Sequence, residues 1–226
     1  MSTDAQDQAT AVYYPETDGK PMGETELHVQ LITDLRFALR EFFRDRKDIH
    51  VGSNLLLYYE EGNPRKFIVP DVFVARVRKT PPRRVYKMWE EGRAPSVVIE
   101  VSSRETWLAD VQRKWQLYER LGVSEYFIFD PEYSYQEQPL LAYRLQEGQL
   151  LQLEVIGGRI SSEELGLELV DTGETLRLFN PATNQFLMTQ DEMTDALQAE
   201  AEARRQAEDE VARLRDEIER LRGGAE

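Results

Sequence analysis

Two acidic residues stand inside runs that otherwise read as buried β-strand, and they limit what this chain can build more than any other feature. Asp71 lies in F-I-V-P-D-V-F-V-A and Glu100 in S-V-V-I-E-V-S. Both runs are short, apolar, rich in β-branched and aromatic residues, and bounded by Pro, Gly or charged clusters. A carboxylate among such neighbours loses its hydration and needs a hydrogen-bond donor, a cation or a metal. Lys114 follows on a helical stretch, with Asp110 and Tyr118 four residues to either side and therefore on the same face. Each residue alone has a plainer use. Asp71 after Pro70 suits a turn amide, Glu100 suits a buried salt bridge, and Lys114 suits a solvated helix or a pair with Asp110. Their order along the chain points instead to a shared hydrolytic metal site.

Composition removes several alternatives. The 226 residues are 41% hydrophobic and 10% aromatic, enough for one domain with a real core plus an appendage. There is no cysteine, which excludes disulfides, thiolate zinc sites and cysteine nucleophiles, and the two histidines, His28 and His50, are too few for a histidine-rich zinc site. No stretch has the make-up of a signal peptide or a membrane span, so a soluble, cytoplasmic protein is expected.

The net charge of −14 argues at first against a nucleic-acid partner, but it is unevenly spread. Residues 191–226 carry −6 and residues 1–20 carry −3, whereas residues 76–93 carry +5 from seven Arg and Lys against Glu90 and Glu91. That basic run lies between the two strand-borne acids. It reads equally as a solvated loop or as a phosphate-contacting surface. In the second case Arg83, Arg84 and Lys87 are the DNA-binding candidates, with Trp89 or Tyr86 packing on sugar or base.

The pattern along the chain is that of an α/β protein. Residues 1–20 are polar and aperiodic, a flexible lead-in. Apolar positions recur at helical spacing from Glu24 to Arg46. Strands are expected over 50–60, 66–76, 96–102 and 125–130, a helix over 106–121 closed by Gly122, and further strands near 140–155 and 164–179 that extend the sheet or pack over it. Trp107 and Trp115, at helical spacing, are expected in the core. Ser102 and Ser103 precede the helix and suit its capping, and His28 reads as a packed or surface histidine.

The globular part, residues 21–182, is followed by a helix over 190–226 rich in Ala, Glu, Arg and Leu. Its heptad seam runs Met193, Leu197, Glu200, Arg204, Ala207, Val211, Leu214, Ile218, Leu221. The second half of that seam is apolar, which predicts a short coiled coil and a homodimer. A solitary solvated helix is the alternative.

An Asp and a Glu on neighbouring strands with a lysine close by resemble the PD-(D/E)XK nuclease superfamily. The usual lysine, two residues after the Glu, is Ser102 here, and Lys114 stands as the migrated substitute. The run D-G-K-P-M-G-E-T-E-L-H, G-S-N-L-L-L-Y-Y-E-E-G-N-P-R-K, P-D-V-F-V, W-E-E-G-R-A-P-S-V-V-I-E-V-S-S and K-x-x-x-Y-x-R-L-G-V-x-E-Y-F-I-F-D-P closely resembles the Uma-two family of restriction-endonuclease-like proteins over residues 18–182. The resemblance implies a restriction-endonuclease-like mixed β-sheet flanked by helices, a magnesium (or manganese) ion and action on DNA. By position, Asp71 and Glu100 match the acidic pair, Lys114 the helical lysine and Glu24 the acid of the first helix. The metal ligands implied are Asp71, Glu100 and the Val101 carbonyl. A nuclease-fold protein that binds DNA or a partner without cutting is the competing expectation.

Overall fold

Thr25 starts the first helix: its backbone is extended and its hydroxyl accepts the His28 amide at 3.3 Å. The helix α1 (Glu26–Phe42) has Glu26 in its first turn and Arg40 in its last, each favourable to the helix dipole. Leu31, Ile32, Leu35, Ala38 and Leu39 form its buried stripe. The computed structural model describes residues 12–17, 19, 25–78, 82–104 and 106–223. Glu24 therefore lies outside the described residues, as do residues 1–11 of the expected lead-in. The part of that lead-in that is described is docked: the Pro15 carbonyl accepts the Tyr58 hydroxyl at 2.6 Å, and the Tyr14 hydroxyl accepts the Gly62 amide at 2.6 Å.

The two strands expected over 50–60 and 66–76 are each divided between sheets. Residues 50–60 give β1 (His50–Gly52) and β2 (Leu57–Tyr58), and residues 66–76 give β3 (Phe67–Ile68) and β4 (Val72–Ala75). The breaks fall at Asn54, whose φ is 49°, and at Pro70, which cannot donate to a ladder. The basic connection is not featureless: it holds β5 (Tyr86–Lys87) and the single turn α2 (Met88–Glu91). Then come β6 (Val97–Val101), a π-helical segment (Ala109–Lys114), α3 (Trp115–Leu121) ending on left-handed Gly122, and β7 (Glu125–Phe129). The chain continues through β8 (Leu140–Gln146), β9 (Gln149–Leu153), β10 (Arg159–Ser162), β11 (Leu167–Asp171), β12 (Leu176–Asn180) and β13 (Gln185–Phe186) to α4 (Gln190–Gly223).

The main sheet is mixed, in the order β1-β4-β6-β7-β8-β9, with β6 and β7 parallel and the helix between them as crossover. Residues 140–155 extend this sheet, whereas β10 to β13 form a second one. The third sheet is β3-β2-β5. On one face of the main sheet Val72, Val74, Val97, Ile99 and Phe127 pack with α1 and with Leu167, Leu169 and Leu178 of the second sheet. On the other, Phe73, Val98, Tyr126 and Ile128 pack with Tyr118 of α3 and with Leu57 and Tyr86 of the third sheet. Strand β6 is buried along its whole length, so its apolar run is unbroken except at Glu100.

Trp107 and Trp115 are half-buried at the rim rather than in the core, where Trp115 packs against the second cluster. The chain divides into Met1–Leu187 and Met188–Glu226. In the second unit Leu197, Val211, Leu214 and Ile218 are exposed along α4.

Candidate active site

Register brings the two acids together. β4 and β6 are antiparallel with Val72 opposite Ile99, so the next pair outward is Asp71 and Glu100, on the face that also carries Phe73 and Val98. Here side chains take over from the backbone ladder. The Asp71 amide donates to Glu100 Oε2 at 3.3 Å, and the Val101 amide donates to Asp71 Oδ2 at 2.8 Å. Val101, expected to contribute its carbonyl, thus enters the cluster through its N–H.

The helix after β6 supplies the base. Lys114 Nζ lies 2.9 Å from Glu100 Oε2 and 2.7 Å from Asp110 Oδ1. Tyr118 donates its hydroxyl to Glu100 Oε1 at 2.7 Å, fixing the carboxylate from behind. Ser102, where the usual lysine would stand, donates to Asp110 Oδ2 at 3.1 Å, and the Tyr126 hydroxyl donates to the Asp110 carbonyl at 3.1 Å. Capping by the Ser102 or Ser103 hydroxyl is not seen among the described residues: the Ser103 hydroxyl meets Thr106 Oγ1 at 3.1 Å, and its carbonyl accepts the Trp107 amide at 3.0 Å. Asp110 and Lys114 both sit in the π-helical segment, a local widening frequent at functional sites. The sequence carries no signal for it, since helical spacing looks the same with or without one extra residue in a turn.

His28 is the residue most undervalued by sequence. Its side chain is only 6% exposed, and its Nε2 is 3.8 Å from Asp71 Oδ1. The only sequence signal was its place one turn into α1, close to Glu24.

The electrostatics of the pocket are unbalanced. Glu100 is fully buried, and removal from water pushes its pKa well above the usual carboxylate range, with Lys114 working against this and Asp71 and Asp110 adding to it. Burial also pushes Asp71 upward, but His28, the Lys114 charge and the Val101 amide outweigh it and hold that carboxyl below its ordinary value. Lys114 loses water too, yet Glu100, Asp110 and Asp71 raise its pKa, so it stays an ammonium. Three carboxylates face one ammonium, and the pocket lacks positive charge.

A hard divalent cation fits that deficit. Among the described residues no group of three or more His, Asp or Glu side chains is arranged to hold a metal. Magnesium does not ask for one, because it binds through one or two carboxylates and keeps several waters. Asp71 and Glu100 are the pair that fits.

The three cations expected to meet DNA each have an acidic partner. Arg83 is 6% exposed and grips Glu91 with Nε at 2.6 Å and Nη2 at 2.9 Å, an ion pair that engages two of its three nitrogens. Arg84 pairs with Glu16 at 2.6 Å, and Lys87 pairs with Glu90 at 2.9 Å while lying over the Tyr14 ring. Tyr86 is buried with its hydroxyl donated to the Arg93 carbonyl, and Trp89 packs on Tyr14. The Tyr86 ring is thus not offered to a base, while Trp89 is half-buried.

A mixed sheet flanked by helices, with Asp and Glu on adjacent strands and a lysine from the next helix, defines a restriction-endonuclease-like protein. The chain belongs to the Uma2 family, described as "Putative restriction endonuclease", whose profile matches residues 7–175. A solved structure described as "a putative nuclease belonging to DUF820 from Anabaena variabilis ATCC 29413" is similar over 66% of this chain and 81% of its own, at 16% identity and a TM-score of 0.48. No curated protein matches. Among the described residues no helix is long and apolar enough to cross a membrane.

Proposed function

We propose that this protein is a metal-dependent endonuclease that hydrolyses phosphodiester bonds in DNA at the Asp71–Glu100–Lys114 centre. The observation that carries the proposal is the convergence of two strand-borne acids and a helical ammonium in one buried pocket with more carboxylate than base. Family membership supports it. Asp71 and Glu100 would hold a magnesium or manganese ion, with the Val101 carbonyl as the expected backbone donor; its chemistry when bound is to acidify a water and offset charge on phosphate oxygens. Lys114 keeps its proton, so its contribution is electrostatic, stabilising the charge that grows on the phosphate rather than accepting a proton. Tyr118 and Ser102 hold Glu100 and Asp110 in place, and His28 orients Asp71. Glu24, outside the described residues, has no part the proposal needs. The test is plasmid cleavage by purified protein with magnesium or manganese, alongside Asp71→Ala and Lys114→Ala. Cleavage by the wild type alone supports the assignment, and equal cleavage by all three removes it.

One observation favours a second reading, a nuclease-fold module that binds DNA or a partner without cutting and assembles through α4. Arg83, Arg84 and Lys87 are already paired with Glu91, Glu16 and Glu90. That reading expects no metal-dependent cleavage, and a homodimer that becomes monomeric when residues 191–226 are deleted. A truncated protein that keeps its oligomeric state would remove the assembly half.

A further inference from the structure

At the far end of α1 from the acids, a cavity of about 320 Å³ opens between the helix, β1 and the loop carrying Arg83. Arg36, Arg40, His50, Ser53 and Arg83 supply its polar lining, and no Asp or Glu is among the described residues that line it. In a chain of net charge −14 this is a marked local reversal. Arg36 and Arg40 are one turn apart on one helix face, a like-charge spacing that destabilises a helix unless an anion answers it.

The buried member of the set gives an independent pointer. The Arg83 side chain is 94% removed from solvent, since only 6% of it is exposed. Its Nε and Nη2 are engaged by Glu91, and Nη2 also by the Arg78 carbonyl. Its Nη1 has no hydrogen-bond partner among the described residues, and neither has His50 Nε2. A buried donor left open costs stability, so the Arg83 Nη1 group, with a second unpartnered polar atom in His50 Nε2 beside the same cavity, marks a place for an acceptor. The scaffold is firm: the His50 ring packs against Phe73 at 5.7 Å, and Phe73 against Tyr86 at 5.4 Å. Gly52 lies so close to Phe73 that a Cβ there would meet the ring at 2.4 Å.

We infer that this cavity is an anion site for a phosphate or phosphoester group, bound by Arg36 and Arg40 from α1 and by the open Nη1 edge of Arg83, with His50 and Ser53 as neutral partners. Guanidinium groups suit the task because their donors match phosphate oxygens in pairs. Twelve residues of helix separate His28 from Arg40, roughly 18 Å at 1.5 Å per residue. The site is thus distinct from the acidic centre and does not rest on the cleavage reading. A phosphate spaced about five nucleotides along a strand would span that distance, at about 3.4 Å per step. A small phosphoester ligand has the same chemistry.

The test uses the full chain in EDTA, so that the acidic centre cannot recruit phosphate through a metal. Inorganic phosphate is titrated by calorimetry into the wild type and into the exposed-residue double variant Arg36→Ala/Arg40→Ala, with folding checked by circular dichroism. Saturable binding in the wild type, weakened at least about tenfold in the variant, is expected. Anisotropy with a duplex oligonucleotide then names the source. A weaker duplex affinity and a shallower salt dependence in the variant mean a nucleic-acid phosphate. Unchanged duplex binding means a small ligand. No saturable phosphate response, or the same response in both proteins, overturns the site.

Discussion

Two buried glutamates lie on neighbouring parallel strands, Glu100 on β6 and Glu125 on β7, and they are 0% and 1% exposed. Their surroundings differ in kind. Glu125 receives Arg144 through Nε at 3.1 Å and Nη2 at 3.0 Å, the Glu163 amide at 2.9 Å and the Ser162 hydroxyl. It joins the main sheet to the second one and its need for donors is met. Glu100 has Tyr118, the Asp71 amide and one ammonium that it must share with Asp110. Burial of an acid is therefore no sign of chemistry by itself. The sign is burial with too little positive charge, and of the two glutamates Glu100 has it.

Exchange of each acid separates the two roles. Glu100→Gln should lower metal-dependent cleavage about a thousandfold, the scale on which removing a transition-state contact acts. Glu125→Gln should leave cleavage per folded molecule unchanged within about a factor of three, as expected of a residue outside the site. A plasmid assay at matched folded concentrations reads both, and equal losses would erase the distinction.

Stability should rank the pair in the opposite order. Glu125→Ala takes the acceptor from the Ser162 hydroxyl and from the Glu163 and Glu164 amides, while Arg144 keeps Glu163, at a cost of about 1 to 3 kcal/mol for each buried group left open. Glu100→Gln removes one of three crowded carboxylates and should leave stability unchanged or raise it by about 1 kcal/mol. Urea denaturation of both variants checks this. A Glu100→Gln protein as unstable as Glu125→Ala would make Glu100 a structural acid too.

A half-buried histidine extends the comparison to a titrating base. Burial pushes His50 down to about 4, with Arg83, Arg40 and Arg36 adding to the effect, so the folded protein keeps it neutral. Between about 6.5 and 4 the unfolded chain takes up a proton that the folded one refuses. Its contribution therefore makes stability fall as pH drops through that window, and His50→Gln should flatten that part of the profile. Identical profiles for wild type and variant would show that His50 is not the group responsible.

The smallest effect expected concerns the strand edge. Val101 donates its amide to Asp71, a bond worth about 1 to 2 kcal/mol. Asp71→Asn, which keeps an acceptor oxygen, should cost less stability than Asp71→Ala, while both lose cleavage.

What was legible in the sequence follows from the same physics. The α1 stripe was readable because burial of one face imposes a period on apolar residues, and the strands around Phe73, Ile99 and Phe127 because burial of both faces leaves a continuous apolar run. Asp71 and Glu100 stood out because they interrupt such runs, and Lys114 because it follows on the next helix. Glu125 interrupts nothing: it begins its run, so the second buried acid passed as a strand boundary. The π-helical segment leaves no period of its own, and the division of residues 50–60 and 66–76 between sheets depends on partners far along the chain. The ion pair of Arg84 was equally invisible, because Glu16 comes from the segment expected to be free.

The most direct measurement is an anomalous difference map from a crystal soaked in manganese. A peak between the Asp71 and Glu100 carboxylates, with none at Glu125, is the predicted result. An empty Asp71–Glu100 pocket with Lys114 still bound to Glu100 would contradict it.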